Sequence, residues 1–154
     1  MSRLVPSQLE GLSAIVTGGT AGIGEAIVRL FRARGARVVG VVARGAEAGE
    51  RLVDELGVDD VVVLAADVTA PGTPGAAVAL ARFGALDVLF NIAGMDCVHE
   101  IGTVPLDDVR RVMEVNFVAP PAMIQAAAPA LRARERGGAA STSSPASPRS
   151  RSRA

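Results

Sequence analysis

Residues Ala14 to Gly24 read Ala-Ile-Val-Thr-Gly-Gly-Thr-Ala-Gly-Ile-Gly: an apolar run, a glycine-rich turn, then the start of a helical pattern. The three spaced glycines serve separate physical ends. Gly18 permits a sharp turn at backbone angles that other residues resist. Gly22 lets a pyrophosphate approach the main chain, and Gly24 lets the new helix pack closely on the strand it came from. A helix amino terminus placed there offers N–H groups and a positive dipole end to phosphates. The pattern predicts a dinucleotide site, with Gly18, Thr20, Gly22, Ile23 and Gly24 as its candidate cofactor-binding residues. Thr20 is placed either to bond a phosphate or to cap the helix.

The rest of the chain repeats this alternation. Strands are expected at Leu12 to Thr17, Arg37 to Ala43, Asp60 to Ala66 and Leu86 to Ile92. Helices are expected at Ile23 to Arg34, Ala46 to Leu56 and Pro74 to Phe83, and a longer one from Leu106 to about Arg134, kinked or broken at Pro120-Pro121 and Pro129. Alternating elements of these lengths imply an α/β fold: a doubly wound, Rossmann-like parallel sheet. Right-handed crossovers give the strand order 3-2-1-4. Ligands in such sheets bind beyond the carboxyl ends of the strands, at the switch point between the first and fourth. Arg44, Asp67, Val68, Asn91, Ala93 and Gly94 all fall at those ends and join the candidate set. Asn91 has two open roles there, serving the nucleotide or tying neighbouring strands. Asp67 faces a similar choice between ligand contact and a solvated strand end. A carboxylate ending the second strand would hold a ribose 2′-hydroxyl and select NAD. Here Val42 and Ala43 are followed by Arg44, so local chemistry favours NADP over NAD, with Arg44 either available to a 2′-phosphate or standing as an exposed loop charge.

Thr17-Gly18-x-x-x-Gly22-x-Gly24, Asp67-Val68, Asn91-Ile92-Ala93-Gly94 and Asn116 within Val115-Asn116-Phe117 occur in this order. Together they resemble the short-chain dehydrogenase/reductase family over about residues 10 to 136, with Ile92 where the family carries a second asparagine. The resemblance implies hydride transfer between a nicotinamide and an alcohol or carbonyl substrate. It makes Asp67 an adenine-contacting carboxylate and Asn116 an active-site asparagine. The family's other catalytic groups are a serine on a fifth strand and a Tyr-x-x-x-Lys pair, whose hydroxyl exchanges a proton with the substrate oxygen. This chain contains no Tyr and no Lys. Asn116 is therefore the only catalytic match, and in its partners' absence it reads as a helix-bending structural residue. The chain is expected to bind a nicotinamide dinucleotide and to be inactive as written. The alternatives are a non-enzymatic nucleotide- or partner-binding protein and an unstable aberrant product.

From residue 137 the texture changes to Gly, Ala, Ser, Pro and Arg, a composition that cannot make a core strand. The expected division is a partial Rossmann domain over residues 1–136, truncated after about four strands, and a disordered Ser/Pro/Arg-rich tail over 137–154. The family would place its fifth strand at the start of that tail. Shifting the reading frame across Gly138 to Pro148 can yield an apolar strand ending on serine, so a frameshift or altered splice is the favoured origin of the tail. Sixteen basic and sixteen acidic residues balance to zero net charge, which gives no reason to expect a nucleic-acid partner. No apolar run approaches the roughly 20 residues that span a bilayer. The single cysteine, Cys97, has no intrachain partner, and a cytoplasmic setting is expected. His99 lies near Asp96, Cys97 and Glu100, but the spacing matches no closed ligand set, so no metal is expected. An oligomer with itself or with an intact relative is left open.

Overall fold

A computed structural model describes residues 9–36, 38–57, 59–80, 86–133 and 138–142. Arg37, residues 81–83, Arg134 and the tail from residue 143, all assigned from the sequence, lie outside the described residues. The elements are β1 (Ser13–Thr17), α1 (Gly22–Ala33), β2 (Val38–Ala43), α2 (Ala46–Leu56), β3 (Val61–Ala65), α3 (Thr73–Leu80), β4 (Val88–Asn91), α4 (Leu106–Met113), α5 (Ala119–Arg132) and β5 (Ala139–Thr142). Every strand pairing is parallel, so each strand needs a helical crossover, and the fold is Rossmann-like as expected.

Alternation along β1 divides the core. Ala14 and Val16 pack with Val28, Phe31 and Leu52 of α1 and α2, whereas Ile15 packs with Leu89, Met123, Ala127 and Leu131 on the opposite face. Phe31 and Phe90 meet edge to face at 5.4 Å on the first side. Helices on both faces explain why the strands read as continuous aliphatic runs.

The sheet order is β3-β2-β1-β4-β5, one strand longer than the four-strand expectation. β5 lies within the stretch expected to be disordered. Its four residues are all exposed, so it is not a core strand, in keeping with its composition. It forms because a parallel ladder requires only backbone groups: Val88 pairs with Ala139 and Asn91 with Thr142. The Ala139 N–H donates to the Asp87 carbonyl at 2.8 Å and starts the pairing.

The helix across Pro120-Pro121 is likewise not broken. Proline supplies no N–H to the helical ladder, and the chain accommodates this with a single π-turn, Glu114–Val118, leading directly into α5. Pro129 lies inside α5, which continues to Arg132.

Gly24 determines where α1 can begin. A Cβ built there would lie 2.2 Å from the Gly18 carbonyl oxygen. In an open helix Ala would be favoured over Gly by about 1 kcal/mol. Here the clash with fixed backbone should reverse that preference: Gly24→Ala is expected to destabilise the chain by about 3 kcal/mol. Chemical denaturation of the two proteins checks this, and a variant as stable as the parent would refute the packing role.

Candidate functional site

The β1 turn and the start of α1 form one wall of a cavity of about 530 Å³ at the carboxyl ends of the strands. Gly18 and Gly22 hold positive φ, +69° and +54°. Gly18 has a further constraint: a Cβ there would meet the Ala93 backbone at 2.9 Å, so the chain leaving β4 crosses directly over it. Gly22 is the reverse, with nothing within 4 Å of its missing Cβ. That open flank leaves the main chain accessible from the cavity. The N-cap of α1 is Ala21, whose side chain makes no capping bond, so Thr20 is not the N-cap residue and lines the cavity instead.

Thr17 joins the two strands at the switch point. Its hydroxyl accepts hydrogen bonds from the Ile92 N–H at 3.0 Å and the Ala93 N–H at 3.1 Å. The β4 exit is thereby fixed against the β1 turn, and Ile92, Ala93 and Gly94 form the cavity's second wall. Asn116 fixes the next residue along. Its side-chain carbonyl accepts the Met95 N–H at 3.0 Å, and its amide donates to the Met95 carbonyl at 2.8 Å. A side chain replacing a strand partner in this way is a structural tie. It lies in the π-turn, where the sequence suggested a helix-bending asparagine.

Asp67, at the end of β3, is bound on both oxygens. The Thr69 N–H donates to Oδ1 at 2.9 Å and the Thr69 hydroxyl to the same atom at 2.7 Å. The Arg111 guanidinium pairs with Oδ2. The Thr69 backbone bond above all, helped by its hydroxyl and by Arg111, holds the carboxyl below the ordinary aspartate pKa against the opposing effect of partial burial.

Of the candidate residues, Gly18, Thr20, Gly22, Ile23, Arg44, Asp67, Val68, Ala93 and Gly94 all line the one cavity. Gly24 and Asn91 do not. Gly24 acts in packing, and Asn91 is 2% exposed behind the wall, with neither amide atom hydrogen-bonded. Arg111 also lines the cavity, and the sequence reading did not single it out. Only the docked helix separates it from its neighbour: Arg110 pairs outward with Asp107, while Arg111, about 100° further round, reaches Asp67. No group of three or more His, Cys, Asp or Glu suited to a metal occurs among the described residues. His99 instead pairs with Asp108 at 2.8 Å. Among the described residues no helix is long and apolar enough to cross a membrane.

A family model described as short chain dehydrogenase matches residues 13–153. The chain belongs to the short-chain dehydrogenase family. It is 42% identical over 142 residues to momilactone A synthase of Oryza sativa subsp. japonica, covering 89% of this chain and 51% of that protein. It is 38% identical over 148 residues to the sex determination protein tasselseed-2 of Zea mays, covering 91% of this chain and 44% of that one. Among solved structures, a blue fluorescent protein from a metagenomic library in complex with NADPH is similar at a TM-score of 0.72 and 38% identity. That match covers 79% of this chain and 52% of the other. The chain spans about half the length of the curated relatives it matches.

Thr17→Val keeps the shape of the side chain and removes the acceptor shared by Ile92 and Ala93. Leaving these N–H groups without their partner should cost about 1–3 kcal/mol. Thermal and urea unfolding would show it, and unchanged stability would mean that the strand ends are held by other contacts.

Proposed function

We propose that the chain binds a nicotinamide dinucleotide in this cavity. The open Gly22 flank carries the reading: a turn with room for phosphate against the main chain, beside a helix start without a side-chain cap. Gly18, Thr20, Gly22 and Ile23 would serve the pyrophosphate, Asp67 and Val68 the adenine, and Ala93 and Gly94 the path toward the nicotinamide. Gly24 and Asn91 support these walls from behind, and Asn116 acts through Met95. The similar structure solved with NADPH supports the same choice of ligand.

NADP is favoured over NAD. Arg44 is exposed at the cavity, directly after β2, and no carboxylate precedes it there to repel a 2′-phosphate. Titrating the 154-residue chain with NADPH and NADH should give tighter NADPH binding. Arg44→Glu should weaken NADPH binding about tenfold or more while sparing NADH, since a bidentate phosphate contact becomes a repulsion. Equal binding of the two cofactors by the parent would remove Arg44 from the assignment.

When bound, the nicotinamide supplies or accepts hydride, and in family members with the full catalytic set the substrate would be an alcohol or carbonyl compound. The 154 residues contain no Tyr or Lys to exchange the accompanying proton. This favours binding without turnover by the family chemistry, in a cytoplasmic setting where lone Cys97 stays reduced. A panel of small aldehydes and ketones should therefore produce no NADPH oxidation above the protein-free rate. Oxidation that is lost in Gly22→Val would overturn this part of the reading and leave binding intact.

A further inference from the structure

We propose that Arg111 is a positioning residue that sets the site's preference for a 6-aminopurine, by fixing how Asp67 presents its last open acceptor position. This rests on the dinucleotide reading above and extends it to a residue on a different element.

An ionised carboxylate has about four acceptor positions. Thr69 fills two on Oδ1 through its N–H and its hydroxyl, and Arg111 Nη2 fills one on Oδ2. Arg111 Nη1 also donates to the Thr69 hydroxyl oxygen at 3.0 Å. Arginine, threonine and aspartate thus form a closed ring, in which the threonine hydroxyl donates to Asp67 and accepts from Arg111. The planar guanidinium spans both acceptors with two N–H groups held in a fixed fork, which a rotating ammonium reproduces only in part. The remaining acceptor position is on Oδ2, the oxygen that Arg111 holds. With Arg111 removed, the carboxylate keeps its anchor on Oδ1 alone and can turn about it.

The surroundings of Arg111 separate this role from ordinary packing. α4 itself has no buried residue and is carried by the π-turn and α5 that follow it, so Arg111 stands over the site without a packing role of its own. Asp67 and Arg111 both line the cavity, with side chains 30% and 41% exposed. As a surface ion pair this contact would add little to stability. As the device that aims an acceptor at a ligand amine, it would govern which base binds.

The test compares binding of NADPH with binding of its 6-oxo (hypoxanthine) analogue, which presents a carbonyl where adenine has a donor. The parent chain should prefer NADPH about tenfold or more, the scale of a hydrogen bond to a charged group. Arg111→Met should bring that ratio close to one, mainly by weakening NADPH, and Arg111→Lys should restore part of it. A purely structural role would weaken both ligands equally and leave the ratio unchanged, which would overturn the proposal. So would a parent chain that binds both equally, or a larger ratio in Arg111→Met. Should Arg111→Met fail to fold, Arg111→Lys carries the test: it keeps the charge but loses the fork, and a reduced ratio supports the proposal while an unchanged ratio overturns it. Binding of neither dinucleotide by the folded parent would instead refute the underlying reading, and this one with it.

Discussion

The approach of Gly24 to the Gly18 carbonyl, with no space between them for a Cβ, is the constraint on which the remaining geometry depends. It lets α1 start at once after the turn and lie close against β1. The helix amino terminus then points into the opening between β1 and β4, because a right-handed crossover sends the chain to one side and β4 arrives from the other. Gly18 meets the complementary requirement, since its missing side chain is the space through which the chain at Ala93 leaves β4. Two glycines six residues apart thus bring both cavity walls together, and Thr17 fastens them through two backbone N–H groups.

The floor and the roof of the site are held by different forces. The strands and α5 form the floor by burying aliphatic side chains, among them Ile15, Leu89 and Met123, each 1% exposed or less. α4 buries none. Beside the buried Val115 of the π-turn that follows, its links to the strand ends are polar: Arg111 to Asp67 and Thr69, and Asn116 to Met95. Polar ties are directional and individually modest, typically about 1 kcal/mol net. A roof held this way responds to changes in the charges and donors beneath it more readily than a packed floor does.

The glycine turn, the helix–strand alternation and the convergence of Arg44, Asp67 and Gly94 were legible in the sequence because each depends on local chemistry or period. α2 was expected and found at Ala46–Leu56 for the same reason. β5 was not legible. Residues 139–142 bury nothing, so hydrophobic pattern carries no record of a strand made by backbone pairing alone. The π-turn was also hidden, because proline announces the loss of a donor but not whether the helix breaks or widens to absorb it. Arg111 was hidden by phase: two adjacent arginines are equivalent in sequence until the helix is docked. Asn91 remains the costly residue of the site, a buried amide with both polar atoms unsatisfied. The void beside it has no room for a water molecule. Departures from local satisfaction of this kind concentrate where a fold serves function.

Holding a dinucleotide and reacting it make different demands on composition. Holding draws on glycine conformations, main-chain N–H groups, a helix end and a few strand-end side chains, and all of these lie between Thr17 and Arg111 on the cavity described above. None requires tyrosine or lysine. Exchanging a proton with a substrate oxygen requires a side chain whose pKa can be brought near the working pH, and the family meets that need with residue types that these 154 positions do not contain. Every strong base in the chain is arginine, which stays charged and serves recognition in place of proton transfer. Arg44 and Arg111 both line the cavity, so the proposed binding draws its cationic contacts from groups that hold a ligand without exchanging protons.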